Sequence, residues 1–205
     1  MLTFELMNDN ELDECANIFA DSFFDYEYFS LWIRDDSRRR QFLIDVITME
    51  MRAARDIQYF FVAKQDGKIV AFSALCPPNY KDPSMFHYAR SGLFKALLSG
   101  GIRAAAAWGS MESKAKAPCL ALKDSWYINS LTVIKEHEGQ GIGTDFMNNG
   151  IIPFIKDNGG SSVCLFTNSE INRHFYLKNN FEEFYHNEIH YKGKSLGSWY
   201  FKRDI

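Results

Sequence analysis

The feature that most constrains this chain is a glycine-rich turn between an apolar strand pattern and a helical pattern. It comprises Glu138, Gly139, Gln140, Gly141, Ile142, Gly143 and Thr144, after the run WYINSLTVI and before DFMNNGIIPFIKDNG. Alternate glycines let the backbone turn tightly, and the first N–H groups of a helix have no intrahelical partner. Those N–H groups and the positive end of the helix dipole suit a phosphate or pyrophosphate. The turn therefore predicts a strand–loop–helix unit able to hold an anion.

Two nucleotide-binding motifs do not match this turn. A Walker loop needs GxxxxGK[ST], and residues 138–144 contain no lysine. A dinucleotide fingerprint needs GxGxxG directly after its strand and an acid at the end of the next strand. Here the spacing is GxGxG, and the next strand pattern ends in Phe166, Thr167 and Asn168. Because an isolated GxGxG is equally typical of a surface turn, the rest of the chain has to decide between the two.

The hydrophobic pattern along the chain predicts an α/β protein with a mixed sheet. A first strand over residues 2–7 precedes two helices, and two further strands then flank a hairpin turn at Asp66 and Gly67. Residues 79–123 are mostly helical, with a loop predicted over 110–118 (SMESKAKAP). A strand, helix, strand, helix and final hairpin complete the order. We therefore predict a single domain over residues 1–205 with a helical insert over residues 79–123.

Composition excludes several classes of protein. The net charge of −3 leaves no basic surplus for a nucleic-acid partner. The cysteines are more than forty residues apart, which argues against a zinc ribbon or a disulfide framework and favours buried thiols in a reducing compartment. The acidic start MLTFELMNDNELDE is not a signal peptide, and no apolar run approaches the ~20 residues that span a bilayer. We expect a cytoplasmic protein with no membrane partner. The four cysteines are Cys15, Cys76, Cys119 and Cys164.

Residues 126–181 resemble the GNAT superfamily of N-acetyltransferases in two independent motifs. Residues 138–143 match its [RQ]xxGx[GA] motif, which follows the fourth strand and opens the next helix. Asn172, Tyr176 and Phe181 match a second motif, NxxxYxxxGF. The resemblance implies a mixed, largely antiparallel central sheet of six to seven strands flanked by helices, with the insert after the third strand. Within the superfamily, the combination WYINSLTV, EGQGIG and NRHFY most resembles puromycin N-acetyltransferase and its relatives.

The resemblance also implies a cofactor and roles for named residues. Acetyl-CoA would be the co-substrate, its pyrophosphate held by the turn and its carbonyl polarised by a backbone N–H of the Leu131, Thr132 and Val133 strand. Tyr176 would be the general acid that protonates the departing thiolate, since a phenol with a pKa near 10 keeps its proton at neutral pH. Packing of an amphipathic helix is the alternative role for this tyrosine. Further cofactor contacts are expected from Asn168, Asn172 and Phe175.

Two residues depart from the superfamily pattern, and the general base is left open. Glu138 stands where Arg or Gln is usual, and we expect its carboxylate to point to solvent. Asn180 replaces a glycine, which asparagine can do because it tolerates left-handed backbone. Asn129 occupies the place where many relatives carry an acid; it could hold a water but could not usefully accept a proton. Asp124, a water chain or a partly deprotonated substrate are the remaining options.

The acceptor site is less clearly marked. The aromatic segment 23–29 lies where the superfamily builds much of its acceptor pocket, and either substrate binding or core packing would explain it. His186, Glu188 and His190 share one face of a strand, which is more typical of a polar surface than of a metal site. We assign no metal, and we expect Glu188 to contact substrate instead. The substrate-binding candidates in the aromatic segment are Phe24, Tyr26, Tyr28 and Phe29.

The sequence therefore predicts an acetyl-CoA-dependent N-acetyltransferase that acts on a primary amine of a small molecule by direct attack in a ternary complex. No covalent intermediate is expected, because no cysteine stands in a recognisable nucleophile position. A non-catalytic CoA-binding sensor and a protein or peptide acetyltransferase are the alternatives. A long insert that covers the pocket would argue against the latter. We expect a monomer or a homodimer.

Overall fold

One seven-stranded sheet takes strands from both ends of the chain. The structure, a computed structural model, describes residues 1–30, 32–191 and 193–205; the side chains of Glu27, Tyr28, Tyr191 and Lys194 lie outside that description. The strand order is β1-β2-β3-β4-β5-β7-β6, and every neighbouring pair is antiparallel except β4 and β5. The predicted mixed, largely antiparallel sheet is confirmed. The strands are β1 (Leu2–Leu6), β2 (Tyr59–Gln65), β3 (Lys68–Cys76), β4 (Trp126–Val133), β5 (Ser162–Thr167), β6 (Glu182–Tyr191) and β7 (Lys194–Asp204).

Helices cover both faces of this sheet. The helix after β4 is continuous, because a π-helical segment, Phe146–Ile151, joins α7 directly to α8. Short 3₁₀ turns, Asp9–Glu11 and Lys135–His137, precede α1 and the glycine-rich turn. The α-helices are α1 (Leu12–Ser22), α2 (Glu27–Ser30), α3 (Asp36–Ala53), α4 (Met85–Ser91), α5 (Leu93–Gly100), α6 (Ile102–Leu120), α7 (Ile142–Asp145), α8 (Ile152–Asp157) and α9 (Glu170–Lys178).

The core is divided by the sheet into two layers. Strand β2 shows why: Phe60 and Val62 belong to one layer, whereas the alternate residues Phe61 and Ala63 belong to the other. Helices α1, α3, α5 and α6 pack on the first face, and the helix after β4 packs on the second with Phe146 and other apolar residues. All four cysteines are buried and unpaired, as their spacing predicts. No helix within the described residues is both long and apolar enough to cross a bilayer.

The local turn predictions can be checked directly. Asp66 and Gly67 connect β2 and β3 with φ angles of 52° and 78°, which is the left-handed geometry of a tight hairpin and confirms that prediction. Asn180 has a φ of 62°, so asparagine does adopt the left-handed conformation expected at this position.

The loop predicted over residues 110–118 is wrong, because α6 runs through it to Leu120. Its buried positions recur at helical spacing through Ala107, Met111, Ala115 and Cys119. Pro118 lies in the last turn, where the loss of its N–H removes a single hydrogen bond. The insert over residues 79–123 therefore carries three helices, α4, α5 and α6, among its described residues.

Candidate active site

The site begins where β4 and β5 separate. These parallel strands are paired only at Trp126 with Val163 and at Tyr127 with Cys164. Beyond that point, within the described part of the chain, the edge of β4 that faces β5 has no sheet partner. On its other edge, β4 has a bulge: Ser130 pairs with Ala74 and Ile128 with Leu75, which leaves Asn129 as the extra residue. Bulges of this kind redirect side chains and are common beside active sites.

A cavity of about 100 Å³ occupies the space beside this bulge. It lies between the carboxyl ends of β4 and β5 on one side and helices α1, α3 and α6 on the other. A cavity of this order holds a group about the size of one small ring. Its lining residues are Phe19, Phe23, Tyr26, Phe29, Val46, Ile47, Glu50, Trp108, Glu112, Ile128, Asn129, Ser130, Leu131, Phe166, Thr167, Asn168, Asn172 and Tyr176.

Tyr176 projects from α9 into the wall of this cavity. Only 7% of the residue is exposed, and its ring packs at 5.7 Å from the rings of both Phe181 and Phe201. Burial raises the pKa of Tyr176 above its ordinary value, and the nearby Tyr26 adds to the effect. Because the phenol stays protonated at neutral pH, it is a proton donor rather than a base.

Tyr26 fixes the aromatic segment to the end of β5. The Asn168 N–H donates to the Tyr26 hydroxyl at 2.8 Å, and that hydroxyl lies 3.2 Å from Thr167 Oγ1. Its ring meets Phe23 edge-on at 5.3 Å. Burial raises the pKa of Tyr26, so this hydroxyl also stays neutral. Two of the aromatic substrate candidates, Tyr26 and Phe29, therefore border the cavity.

The glycine-rich turn has the backbone geometry that an anion site requires. Gly139 and Gly141 have φ angles of 73° and 83°, and Gly141 immediately precedes α7. No atom lies within 4 Å of where a Cβ would stand on either glycine, so conformation rather than crowding requires them. The Asp145 N–H donates to the Gly141 carbonyl at 2.9 Å and begins the helical ladder. The N–H groups of the turn before it suit an anion.

The turn lies against two other residues predicted to contact the cofactor. A Cβ on Gly143 would lie 3.4 Å from the Phe175 ring and 3.4 Å from Val133 Cγ2. Ile142 is buried, whereas Thr144 and Glu138 are exposed, the latter as expected for a carboxylate beside an anion site. Gln140 is also exposed, and its amide donates to the Glu136 carbonyl at 2.8 Å.

Three residues of β4 were predicted to polarise a carbonyl through a backbone N–H, and their side chains lie partly at the cavity and partly in the core. Leu131 borders the cavity. Thr132 is buried, and its hydroxyl donates to the Phe72 carbonyl at 3.3 Å, so its side chain is occupied within the sheet. Val133 is partly buried beside Gly143. Any catalytic contact here would come from the backbone.

Asn168 and Asn172, the other expected cofactor contacts, also border the cavity. The Asn168 amide donates to the Gly197 carbonyl at 2.6 Å and to the Ser198 hydroxyl, while its buried Oδ1 atom has no hydrogen-bond partner among the described residues. Asn172 lies in the first turn of α9, and its N–H donates to the N-cap residue Ser169 at 3.5 Å.

Two other substrate candidates, Phe24 and Glu188, are not among the described residues that line the cavity. Phe24 lies under the Arg39 guanidinium, 4.2 Å from the ring centre, and its carbonyl accepts from Arg39 Nε at 3.0 Å. Glu188 is exposed on β6 and lies 3.7 Å from His190. The Tyr28 side chain lies outside the described part of the chain.

Two carboxylates of the cavity were not predicted from the sequence. Glu50 stands on α3 between the buried Met49 and Met51, and Glu112 stands on α6. Burial raises the pKa of Glu50 to about 7, and Glu112 adds to the shift. A glutamate within an apolar helical pattern was the available signal for Glu50. Glu112 was hidden because residues 110–118 were predicted to form a loop.

The family model for GNAT acetyltransferases matches residues 12–181. The chain belongs to the GNAT acetyltransferase family. Members of this family are acetyltransferases that use acetyl-CoA as co-substrate. The matched range includes the glycine-rich turn, Asn129 and Tyr176, and it ends at Phe181.

Solved structures of GNAT acetyltransferases share this fold at low sequence identity. A histone acetyltransferase HPA2-related protein from Corynebacterium glutamicum gives a TM-score of 0.62 at 13% identity over 97% of this chain and 94% of that one. The ribosomal-protein-S18-alanine N-acetyltransferase from Escherichia coli gives a TM-score of 0.56 at 12% identity, over 100% of this chain and 94% of that one. A provisionally assigned phosphinothricin N-acetyltransferase gives a TM-score of 0.60 at 13% identity, over 100% of this chain and 99% of that one. No curated protein sequence matches the chain.

Proposed function

We propose that this protein transfers an acetyl group from acetyl-CoA to a primary amine of a small molecule by direct attack in a ternary complex. The observation that carries the proposal is the cavity in which the Tyr176 wall, the bulge at Asn129 and the unpaired edge of β4 come together. Family membership supports acetyl transfer, and the small volume of the cavity supports a small acceptor.

The residues present fit acetyl-CoA. The left-handed backbone at Gly139 and Gly141 and the open space around both glycines suit a pyrophosphate group. The free edge of β4 at Leu131 suits the pantetheine arm and the thioester. Acetyl-CoA supplies the acetyl group as an activated thioester.

The chain's own groups would then act on two protons. A backbone N–H of β4 would polarise the thioester carbonyl, and Tyr176 would donate its proton to the sulfur as the C–S bond breaks. Asn129, which cannot accept a proton usefully, would hold a water beside the attacking nitrogen. As the N–C bond forms, the proton of the amine would leave through that water to solvent, and the Tyr176 phenolate would regain a proton from solvent. No covalent acyl-enzyme is proposed, because all four cysteines are buried away from the lining of the cavity.

The same geometry bears on two alternative functions, a CoA-binding sensor and a protein acetyltransferase. A CoA-binding sensor is favoured by the amide at Asn129 in place of an acid. A protein acetyltransferase has a solved relative in the ribosomal-protein enzyme, but Trp108 and Glu112 of α6 border the cavity here. A helix at this position narrows access for a polypeptide, so we rank a small amine first.

We also keep as proposals three conclusions from the sequence. One sheet with strands from both ends supports one domain over residues 1–205. Buried, unpaired thiols suit the cytoplasm. The closer resemblance to puromycin N-acetyltransferase rests on the sequence motifs alone. The acceptor that it suggests therefore has no support beyond those motifs.

The direct experiment is a turnover screen. Thiol release from acetyl-CoA should be followed with aminoglycosides, aminonucleosides, polyamines, amino acids and peptides, while calorimetry measures acetyl-CoA binding. Turnover with at least one small amine, and none with peptides, is expected. Acetyl-CoA binding without turnover of any amine would support the sensor instead.

A further inference from the structure

The helical insert carries an exposed apolar surface. Among the described residues, twelve large apolar side chains are exposed, and five of these fall within residues 85–102. Each of the five is 65% to 75% exposed, and none lines the cavity beside β4. They belong to α4, α5 and the first turn of α6, which are separated only by Gly92 and Gly101. The five are Met85, Phe86, Phe94, Leu98 and Ile102.

The packing of α5 sets the direction in which this surface faces. Phe94 and Leu98 are four residues apart and are therefore neighbours on one face of the helix. Ala96 lies on the opposite face and is buried in the core. At the end of α5, Gly100 lies so close to the buried Phe42 of α3 that a Cβ would clash with its ring. Phe94 and Leu98 therefore point away from the rest of the protein.

The charges on this part of the insert have one sign. Residues 83–111 include three Lys or Arg and no Asp or Glu, in a chain whose net charge is −3. All three cations are exposed, and none is within ion-pair distance of a carboxylate in the described part of the chain. Asp82, the acid that precedes this stretch, is paired with Lys116 at 2.6 Å. The three cations are Arg90, Lys95 and Arg103. Together with the five apolar side chains, they form what we call the insert face.

The cations of the insert face stand beside its apolar side chains. The Arg90 guanidinium lies 5.6 Å from the centre of the Phe86 ring. Lys95 precedes Leu98 by three residues on α5, so the two share a face, and the third cation directly follows Ile102. Long cationic side chains can keep their charge among lipid headgroups while apolar neighbours enter the bilayer. This combination is typical of helices that lie in a membrane interface.

We propose that the insert face docks the protein on the surface of an anionic lipid membrane. The apolar side chains of α4, α5 and the start of α6 enter the interface, and the cations bind lipid phosphates. The sequence expectation of no membrane partner rested on the absence of a spanning segment, and a surface contact requires none. The proposal does not depend on the reaction that the cavity carries out.

Two other occupants fit the insert face less well. A two-fold contact with a second copy would bring the same three cations of both copies into one interface, where they would repel each other. A protein partner would need pockets that match five protruding side chains. A fluid bilayer needs no matching shape, and its anionic headgroups complement the cations.

Vesicle binding by the full chain tests the proposal. Vesicles of phosphatidylcholine alone are compared by co-sedimentation with vesicles that contain about 30% phosphatidylglycerol. Binding to the anionic vesicles should be at least about 10-fold tighter and should weaken as salt is added. In Phe94→Trp, the added fluorescence should be quenched by brominated lipid in the anionic vesicles. Ile171→Trp, which places the probe on the exposed face of α9, should show no such quenching.

Two double variants separate the electrostatic from the apolar contribution. Lys95→Gln with Arg103→Gln should weaken binding to the anionic vesicles about 10- to 30-fold, because each cation near the surface contributes to the attraction. Phe94→Gln with Leu98→Gln should weaken it about 10- to 100-fold, because the apolar side chains no longer enter the interface. All four side chains are exposed, so the melting temperatures should match the wild type. If a double variant melts early, the Phe94→Trp quenching still decides whether α5 enters the bilayer.

Matched controls change the same chemistry elsewhere. Lys156→Gln with Lys178→Gln removes two exposed cations, and Ile171→Gln removes an exposed apolar side chain; both should bind the vesicles like the wild type. Absent binding, equal binding to neutral and anionic vesicles, or equal losses in the controls would overturn the proposal. A dimer in sedimentation velocity that Phe94→Gln with Leu98→Gln dissociates would assign the face to a second copy instead. Binding to soluble poly-L-glutamate as tight as to the vesicles would assign it to an acidic protein.

Discussion

At the scale of single residues, Glu50 is the most unusual group in this structure. It is half-buried and lines the cavity together with Glu112. A carboxyl whose pKa is raised in the folded state binds more protons there than in the unfolded chain between its two pKa values. The free energy of unfolding therefore falls as the pH rises from about 4.5 to about 7.

Glu50→Gln should consequently stabilise the protein at pH 8. Glutamine keeps the shape and carries no charge, so the gain should be about 1–3 kcal/mol, reduced by water in the cavity. Thermal denaturation of both proteins from pH 5 to pH 8 measures it. The difference in melting temperature should widen from pH 5 to about pH 7 and level off above it; a difference independent of pH would show that Glu50 has an ordinary pKa.

Gly141→Ala should weaken the binding of acetyl-CoA. Alanine at a φ of 83° is strained by roughly 1 kcal/mol, and relaxation of the turn would misdirect its N–H groups. We expect about tenfold weaker binding by calorimetry, equivalent to about one hydrogen bond. Gly159→Ala is the matched control, because Gly159 has a φ of 77° and equally open surroundings after α8. Equal affinity losses in the two variants would argue against the turn as the anion site.

Residues within motifs could be predicted from the sequence, and residues brought in by packing could not. Tyr176 and Asn129 were named from the sequence because motif neighbours fix their positions, and the structure places both at the cavity, while their roles stay predictions. Phe24 was expected there with its aromatic neighbours, but Arg39 covers it instead. Glu50 reaches the cavity only because α3 packs beside α1 and α6, which no local pattern records.

At the scale of elements, α6 shows where sequence patterns mislead. A loop was predicted over residues 110–118, which end at Pro118, although Met, Glu, Lys and Ala are strong helix formers. The buried stripe through Met111 and Ala115 outweighs a proline in the last turn. The separation of β4 from β5 likewise could not be predicted from the sequence, because the apolar pattern of a strand does not show which of its edges is paired.

Gly100→Ala tests how the insert is attached to α3. An added Cβ would lie 2.3 Å from Phe42 Cδ2, and Phe42 is fully buried, so the change should destabilise by about 1–3 kcal/mol. Gly109→Ala is the control: it lies in α6 with nothing within 4 Å and should stabilise by about 0.5–1 kcal/mol. Urea denaturation measures both. No loss in Gly100→Ala would mean that the insert can move away from Phe42 freely.

At the scale of the whole molecule, the order of the strands could be predicted from the sequence, whereas the acceptor could not. Alternating patterns and turn residues gave seven strands in their correct order, and two motifs gave the family. The cavity needs six separate parts of the chain, namely α1 with the aromatic segment, α3, α6, β4, β5 and α9. The two carboxylates of its lining, Glu50 and Glu112, therefore come together only once these parts are assembled.

The central claim is that Tyr176 donates the proton that releases CoA. The decisive measurement is the rate of thiol release from acetyl-CoA by Tyr176→Phe, with the best amine found in the screen and with Tyr185→Phe, an exposed tyrosine on β6, as the control. The account predicts a kcat lowered by about 10²- to 10⁴-fold in Tyr176→Phe, with unchanged acetyl-CoA affinity and melting temperature, and a wild-type rate in the control. A wild-type kcat in Tyr176→Phe would contradict it.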